Sequence, residues 1–104
     1  MKYYELLEEL VEKLMNGEMT QDEYDEATLK LLDDVLSKHD DDAVWLSYHY
    51  NGAADYLLDN PDTEMSKDYL FNMAEKEIEI FRKNGFDTTF MESMLNEAKE
   101  MEDA

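Results

Sequence analysis

Apolar residues recur in this chain every three to four positions, and the runs end at recognisable stops. Leu6, Leu7, Leu10, Val11 and Leu14 form the first stripe. That spacing places them along one side of an α-helix and suits no strand. It predicts a helix over about 3–16. Gly17 follows where a left-handed C-terminal residue belongs. Thr20 and Glu23 then form a capping box, in which hydroxyl and carboxylate each take an orphan amide. A second helix is expected over about 21–38, with Tyr24, Ala27, Leu31, Leu32 and Val35 inward.

The pattern continues to the C-terminus. Asp40, Asp41 and Asp42 break it and can cap a third helix over about 42–59. Between Ala43 and Leu58 the only charged residue is Asp55, and Trp45, Leu46, Tyr48, Tyr50, Tyr56 and Leu57 point around most of the circumference. A helix apolar nearly all round is central and buried. Asn60-Pro61-Asp62-Thr63 ends it. A fourth helix is expected over about 64–84, stopped by Asn84-Gly85. A fifth begins at a second capping box, Thr89 with Glu92, and carries Phe90, Met91, Met94, Leu95, Ala98 and Met101. The expected fold is all-α: a compact single domain spanning residues 1–104, about five helices around an aromatic-rich one. Three Gly and one Pro in 104 residues leave little room for a turn-rich β fold.

The sequence excludes several kinds of chemistry. Without Cys there is no disulfide framework and no thiolate. No apolar run approaches the roughly 18 residues that span a bilayer. The N-terminal MKYYELLEEL lacks a signal-peptide core, so a cytoplasmic location is expected, the bacterial host cytosol if phage-encoded. A general acid needs burial to raise its pKa, and only Asp55 falls within an apolar stripe. His39 and His49 lack metal-ligand spacing. Counted from Asp40, the sixth residue is Trp45 and the twelfth Asn51, which fails the calcium-loop pattern. Trp45, Tyr48, Tyr50 and Tyr56 read as core. No enzyme, cofactor or metal is expected.

What remains is charge. Acids number 28 and bases 9, a formal net charge of −19. Such a chain repels nucleic acid and anionic membrane and attracts basic surfaces. Some of the acidity belongs to helix starts, where it meets the positive dipole end. The rest is self-repulsive. Within the expected helices, Glu5/Glu9, Glu8/Glu12, Asp22/Glu26, Asp55/Asp59, Glu64/Asp68 and Glu75/Glu79 are like-charge pairs one turn apart. Glu9/Lys13, Glu26/Lys30, Asp34/Lys38 and Glu79/Lys83 are the attractive ones. A sequence shaped only for stability would balance the signs. Carboxylates one turn apart sit roughly 5–6 Å from each other at Cβ, similar to successive phosphates of a nucleic-acid strand.

Two resemblances bear on function. Leu6 to Leu32, LLEELVEKLMNGEMTQDEYDEATLKLL, resembles the short SHOCT-type helical hairpin. Leu10 and Leu14 supply the stripe, Gly17 the turn, Thr20 the cap, Asp22 and Glu23 the acid pair, Tyr24 the aromatic and Leu31-Leu32 the close, with Met19 in place of the usual Ile. That resemblance implies association rather than chemistry. In size, acidity and helicity the whole chain is similar to small phage proteins that imitate DNA, the anti-restriction and acidic anti-CRISPR inhibitors.

The expected function is therefore non-enzymatic: occlusion of a protein with a basic nucleic-acid-binding surface, by nucleic-acid mimicry. The candidate contacts are Glu5, Glu8, Glu9 and Glu12; Asp22, Asp25, Glu26, Asp33 and Asp34; and Asp40, Asp41 and Asp42. No direct contact with nucleic acid or membrane is expected, and a homodimer remains open. The alternative is a helical protein–protein interaction or oligomerisation module, or an immunity-type (antitoxin-like) protein. The interaction module would expose an apolar patch built from Met91, Met94 and Met101.

Overall fold

The computed structural model describes the backbone of residues 2–103 and the side chains of residues 2–101. The chain is all-α, with no strand among the described residues. Its elements are α1 (Lys2–Met15), α2 (Gln21–Ser37), α3 (Asp41–His49), α4 (Ala53–Asp59), α5 (Lys67–Lys83) and α6 (Thr89–Asp103). No helix among them is long and apolar enough to cross a membrane. The packing resolves two compact units, residues 1–48 and 49–104.

In the first unit, α1 and α2 pack together across a short turn. The turn closes as the sequence predicts. Gly17 adopts φ +76. The amide of Glu18 reaches the Lys13 carbonyl at 2.9 Å and that of Gly17 reaches Leu14 at 3.2 Å, the paired bonds of a Schellman stop. Both bonds of the Thr20–Glu23 capping box are present. Leu32, Val35 and Leu36 are the buried residues of α2, and Tyr3 is that of α1. Asp40 starts α3 by accepting from the Ala43 amide at 3.0 Å. The buried residues of α3 are only Ala43 and Leu46.

In the second unit, α4 packs on both α5 and α6, and α5 on α6. One cluster joins Ala54, Ala74, Ile78 and Leu95; another joins Leu57, Leu70 and Ala98. Small residues on α4 let its backbone lie close to its neighbours. Ser66 caps α5 through the Tyr69 amide at 3.2 Å, so this helix begins three residues later than the sequence suggests and Glu64 lies outside it. Asn84-Gly85 ends α5 with a second Schellman pair: Phe86 to Phe81 at 3.0 Å and Gly85 to Arg82 at 3.0 Å. Thr88, not Thr89, caps α6, since the Glu92 amide bonds to the Thr88 carbonyl at 2.9 Å.

The aromatic segment departs from expectation. It is not one helix over 42–59. It breaks at Tyr50-Asn51-Gly52 into α3 and α4, and of its four aromatic residues only Tyr50 packs inward as expected, half-buried and edge-on to Phe81 at 5.2 Å between centroids. Tyr48 is 81% exposed, Trp45 43% and Tyr56 42%. The nine-residue α3 turns its Ala43/Leu46 side inward, and that side carries none of the aromatic rings.

Candidate partner-binding surface

All the acids proposed from the sequence as partner contacts lie in residues 1–48. That stretch carries 14 acids and 4 bases, net −10; residues 49–104 carry 14 acids and 5 bases, net −9. Charge density alone therefore does not favour the first unit. Carboxylates serve the fold in both units: in the first, Glu23 and Asp40 cap helices and Asp25 accepts from the Gln21 side chain at 3.0 Å.

In the second unit many acids have structural partners. Arg82 pairs with Glu79 at 3.1 Å and with Glu92 at 2.6 Å, and Lys99 pairs with Glu75 at 3.1 Å. Asp87 accepts from the Thr89 hydroxyl at 2.7 Å and the Thr89 amide at 3.0 Å. Those bonds hold its carboxyl below the usual carboxylate range.

In the first unit α1 presents Glu5, Glu8, Glu9 and Glu12, all exposed. Offsets of three and four put them on one face of the helix. Asp22, Asp25, Glu26 and Asp33 share a face of α2 by the same rule, with Asp22 and Glu26 exposed and Asp25 and Asp33 half-buried. Asp40 and Asp41 are exposed, and Asp42 is half-buried. Two of the candidates have different surroundings. Glu9 and Asp34 line an open groove of about 260 Å³ between α1 and α2, together with Lys13, Lys30 and the apolar Leu10 and Leu31. The lysines share that groove, so its charge is balanced locally. The rows Glu5-Glu8-Glu12 and Asp22-Glu26 stand outside it. Neighbouring Glu23 serves the capping box, and the Thr20 amide bond lowers its pKa.

The aromatic side chains of this unit lie at the surface too. Asp41, Val44, Trp45 and Tyr48 occupy offsets 0, 3, 4 and 7 on α3, and all four are exposed. Tyr4 of α1 meets Trp45 edge-on at 5.9 Å between ring centroids.

Sequence reasoning passed over one acid. Asp55, the one suspected of burial, is only half-buried. Among the described residues the buried acid is Glu77, 7% exposed. It stands on the inward stripe of α5 with Leu70, Ala74, Ile78 and Phe81. Its Oε2 accepts from the Tyr50 hydroxyl at 2.5 Å and its Oε1 from the Ala53 amide at 2.9 Å. Gly52, the N-cap of α4, offers no side chain to its own helix; Glu77 supplies the missing acceptor to the Ala53 amide, 24 residues away in sequence. Burial pushes the Glu77 carboxyl above its ordinary value, against the two hydrogen bonds that pull it down. The glycine signal was in the sequence. A Cβ at position 52 would lie 2.6 Å from Glu77 Oε1. Both Glu77 oxygens are engaged in holding the helix junction, so the geometry reads as structural.

Nor do Met91 and Met94 form an exposed patch: they are half-buried and pack against the Ala54/Ala74/Ile78/Leu95 cluster. Of the three methionines only Met101 is exposed. No protein-family model matches the chain, and neither a curated protein nor a solved structure shows significant similarity to it.

Proposed function

We propose that this chain is a non-enzymatic inhibitor that occupies the basic nucleic-acid-binding surface of another protein. One observation supports this most: in the first unit, rows of exposed carboxylates repeat at single-turn spacing on α1 and α2, outside the groove that holds Lys13 and Lys30. Lysines and arginines placed to meet phosphates would find carboxylates at comparable intervals. Association would be electrostatically steered and fast, and would weaken steeply with salt as counterions compete. The mechanism is competition with nucleic acid, and it needs no cofactor. A phage protein acting against a nucleic-acid-targeting defence system, in the host cytosol, is the setting such a mechanism fits.

The alternative, a helical interaction module, draws support from a different observation. The exposed Trp45, Tyr48 and Phe90 are large apolar groups of the kind that anchor protein interfaces. The two readings separate on charge. A host protein retained at low salt should be released by duplex DNA and lost by about 0.5 M salt. The triple charge reversal Asp22→Lys, Asp25→Lys and Glu26→Lys should abolish retention while leaving helicity intact. Retention that survives both treatments would replace mimicry with the interaction module.

A further inference from the structure

The exposed face of α3 combines two chemistries that favour the same kind of ligand. Val44, Trp45 and Tyr48 form an aromatic-apolar strip, and Asp41 lies on that strip one turn before Trp45. Tyr4 extends it through the edge contact with Trp45. Glu8, one turn on from Tyr4 along α1, is exposed. Aromatic faces beside carboxylates select a planar cation. The guanidinium of arginine stacks on the ring and pairs bidentately with the carboxylate, whereas a lysine ammonium does the first less well and the second only as a point charge. A second copy of this chain is a poor occupant, because it brings the same net charge of −19 to the interface.

We infer that the Tyr4/Trp45/Tyr48 strip with Asp41 and Glu8 is an arginine-selective docking surface, occupied by an arginine-bearing segment of a basic partner protein. This rests on the proposed function and sharpens it. The acid rows supply attraction to any cation. The aromatic strip supplies discrimination between arginine and lysine, and so marks the partner as one whose nucleic-acid surface is arginine-rich at that point.

Trp45 is the sole tryptophan, so its emission reports this surface directly. The probes are octa-arginine and octa-lysine peptides, titrated into the full chain at about 0.15 M salt, with affinity measured by calorimetry and Trp45 emission recorded in parallel. Octa-arginine should bind about fivefold tighter than octa-lysine, the effect of one to two exposed cation–π contacts, and should shift Trp45 emission. Tyr48→Ala, a change at an exposed side chain that keeps the reporter, should remove most of the arginine preference and leave octa-lysine affinity unchanged. Equal affinity for the two peptides, or tight binding with silent Trp45, would overturn the docking surface while leaving the acidic reading standing. Failure of both peptides to bind would overturn both. Concentration-dependent shielding of Trp45 in the chain alone, lost in Tyr48→Ala, would assign the strip to a second copy and overturn the inference.

Discussion

The contact between Gly52 and Glu77 makes the break in the aromatic segment testable by a double-mutant cycle. Gly52 has φ −102 and ψ −167, an extended geometry open to any residue, so substitution by alanine incurs no backbone strain there. The cost is steric. A methyl at position 52 would sit 2.6 Å from Glu77 Oε1 and 3.2 Å from its carboxyl carbon, closer than packed atoms tolerate. The carboxylate must retreat, and in retreating it stretches the 2.9 Å bond from the Ala53 amide. Overpacking and a weakened bond to a buried carboxylate together predict a loss of about 2 kcal/mol for Gly52→Ala. Glu77→Ala leaves the Ala53 amide and the Tyr50 hydroxyl without their acceptor, at about 1–3 kcal/mol per group. In that background the added methyl meets no carboxylate, and Gly52→Ala should cost only the difference between Gly and Ala at an N-cap, about 0.5–1 kcal/mol. The cycle should therefore show about 1–1.5 kcal/mol of coupling. Urea unfolding followed by far-ultraviolet circular dichroism measures it, and amide exchange at Ala53 checks that the loss is local. Equal costs for Gly52→Ala with and without Glu77 would refute the view that this carboxylate holds the start of α4.

Three further outcomes follow from the same geometry. Because burial raises the Glu77 pKa, the folded chain holds its proton at pH values where the unfolded chain has released it. Its contribution to stability is complete below the ordinary carboxylate range and is lost as pH rises through the raised value. The urea midpoint of wild type relative to Glu77→Gln should accordingly fall from about pH 4 to pH 7, and a flat difference would remove Glu77 as the cause. Gly17 ends α1 at φ +76, where glycine is at ease and a side chain is not; Gly17→Ala should cost about 1 kcal/mol in thermal unfolding. Thr20→Ala removes the acceptor of the Glu23 amide, a bond of 3.2 Å, and should cost about 1 kcal/mol in the same measurement.

The helix ends that sequence reading places correctly are those decided by adjacent residues. Gly17, Thr20 with Glu23, Asp40 and Asn84-Gly85 each act within a few positions, and each does so in the structure. The second cap is misplaced by one residue because Thr88 and Thr89 offer the same chemistry, and only the hydrogen bond from Glu92 chooses between them. The junction of α3 and α4 was not legible by such means. Asn51-Gly52 permits a break there without requiring one; the acceptor that rewards it lies on α5, 27 residues from Tyr50 and 24 from Ala53. The apolar periodicity of α5 did contain a trace, since Glu77 falls between Ala74 and Ile78 on the inward stripe. The aromatic residues misled because abundance of rings was read as burial, whereas a short helix buries only what faces its neighbours.

The outward and inward carboxylates differ in what they do to stability, and the magnitudes say which matters more. Of the six like-charge pairs expected, five fall inside helices: Glu5/Glu9, Glu8/Glu12, Asp22/Glu26, Asp55/Asp59 and Glu75/Glu79. At about 0.2–0.5 kcal/mol each they sum to roughly 1–2.5 kcal/mol, less in salt. Removing Glu77 alone leaves two hydrogen-bonding groups without their acceptor, a loss of comparable or larger size. One buried acid therefore weighs on the fold about as much as the whole surface array. Single charge reversals on α1 beyond its first turn, Glu8→Lys or Glu12→Lys, should consequently leave unfolding midpoints unchanged or raise them, since each turns the repulsive Glu8/Glu12 pair into an attractive one. If those same reversals abolish partner binding, the lost affinity belongs to the displayed carboxylates and not to a weakened fold.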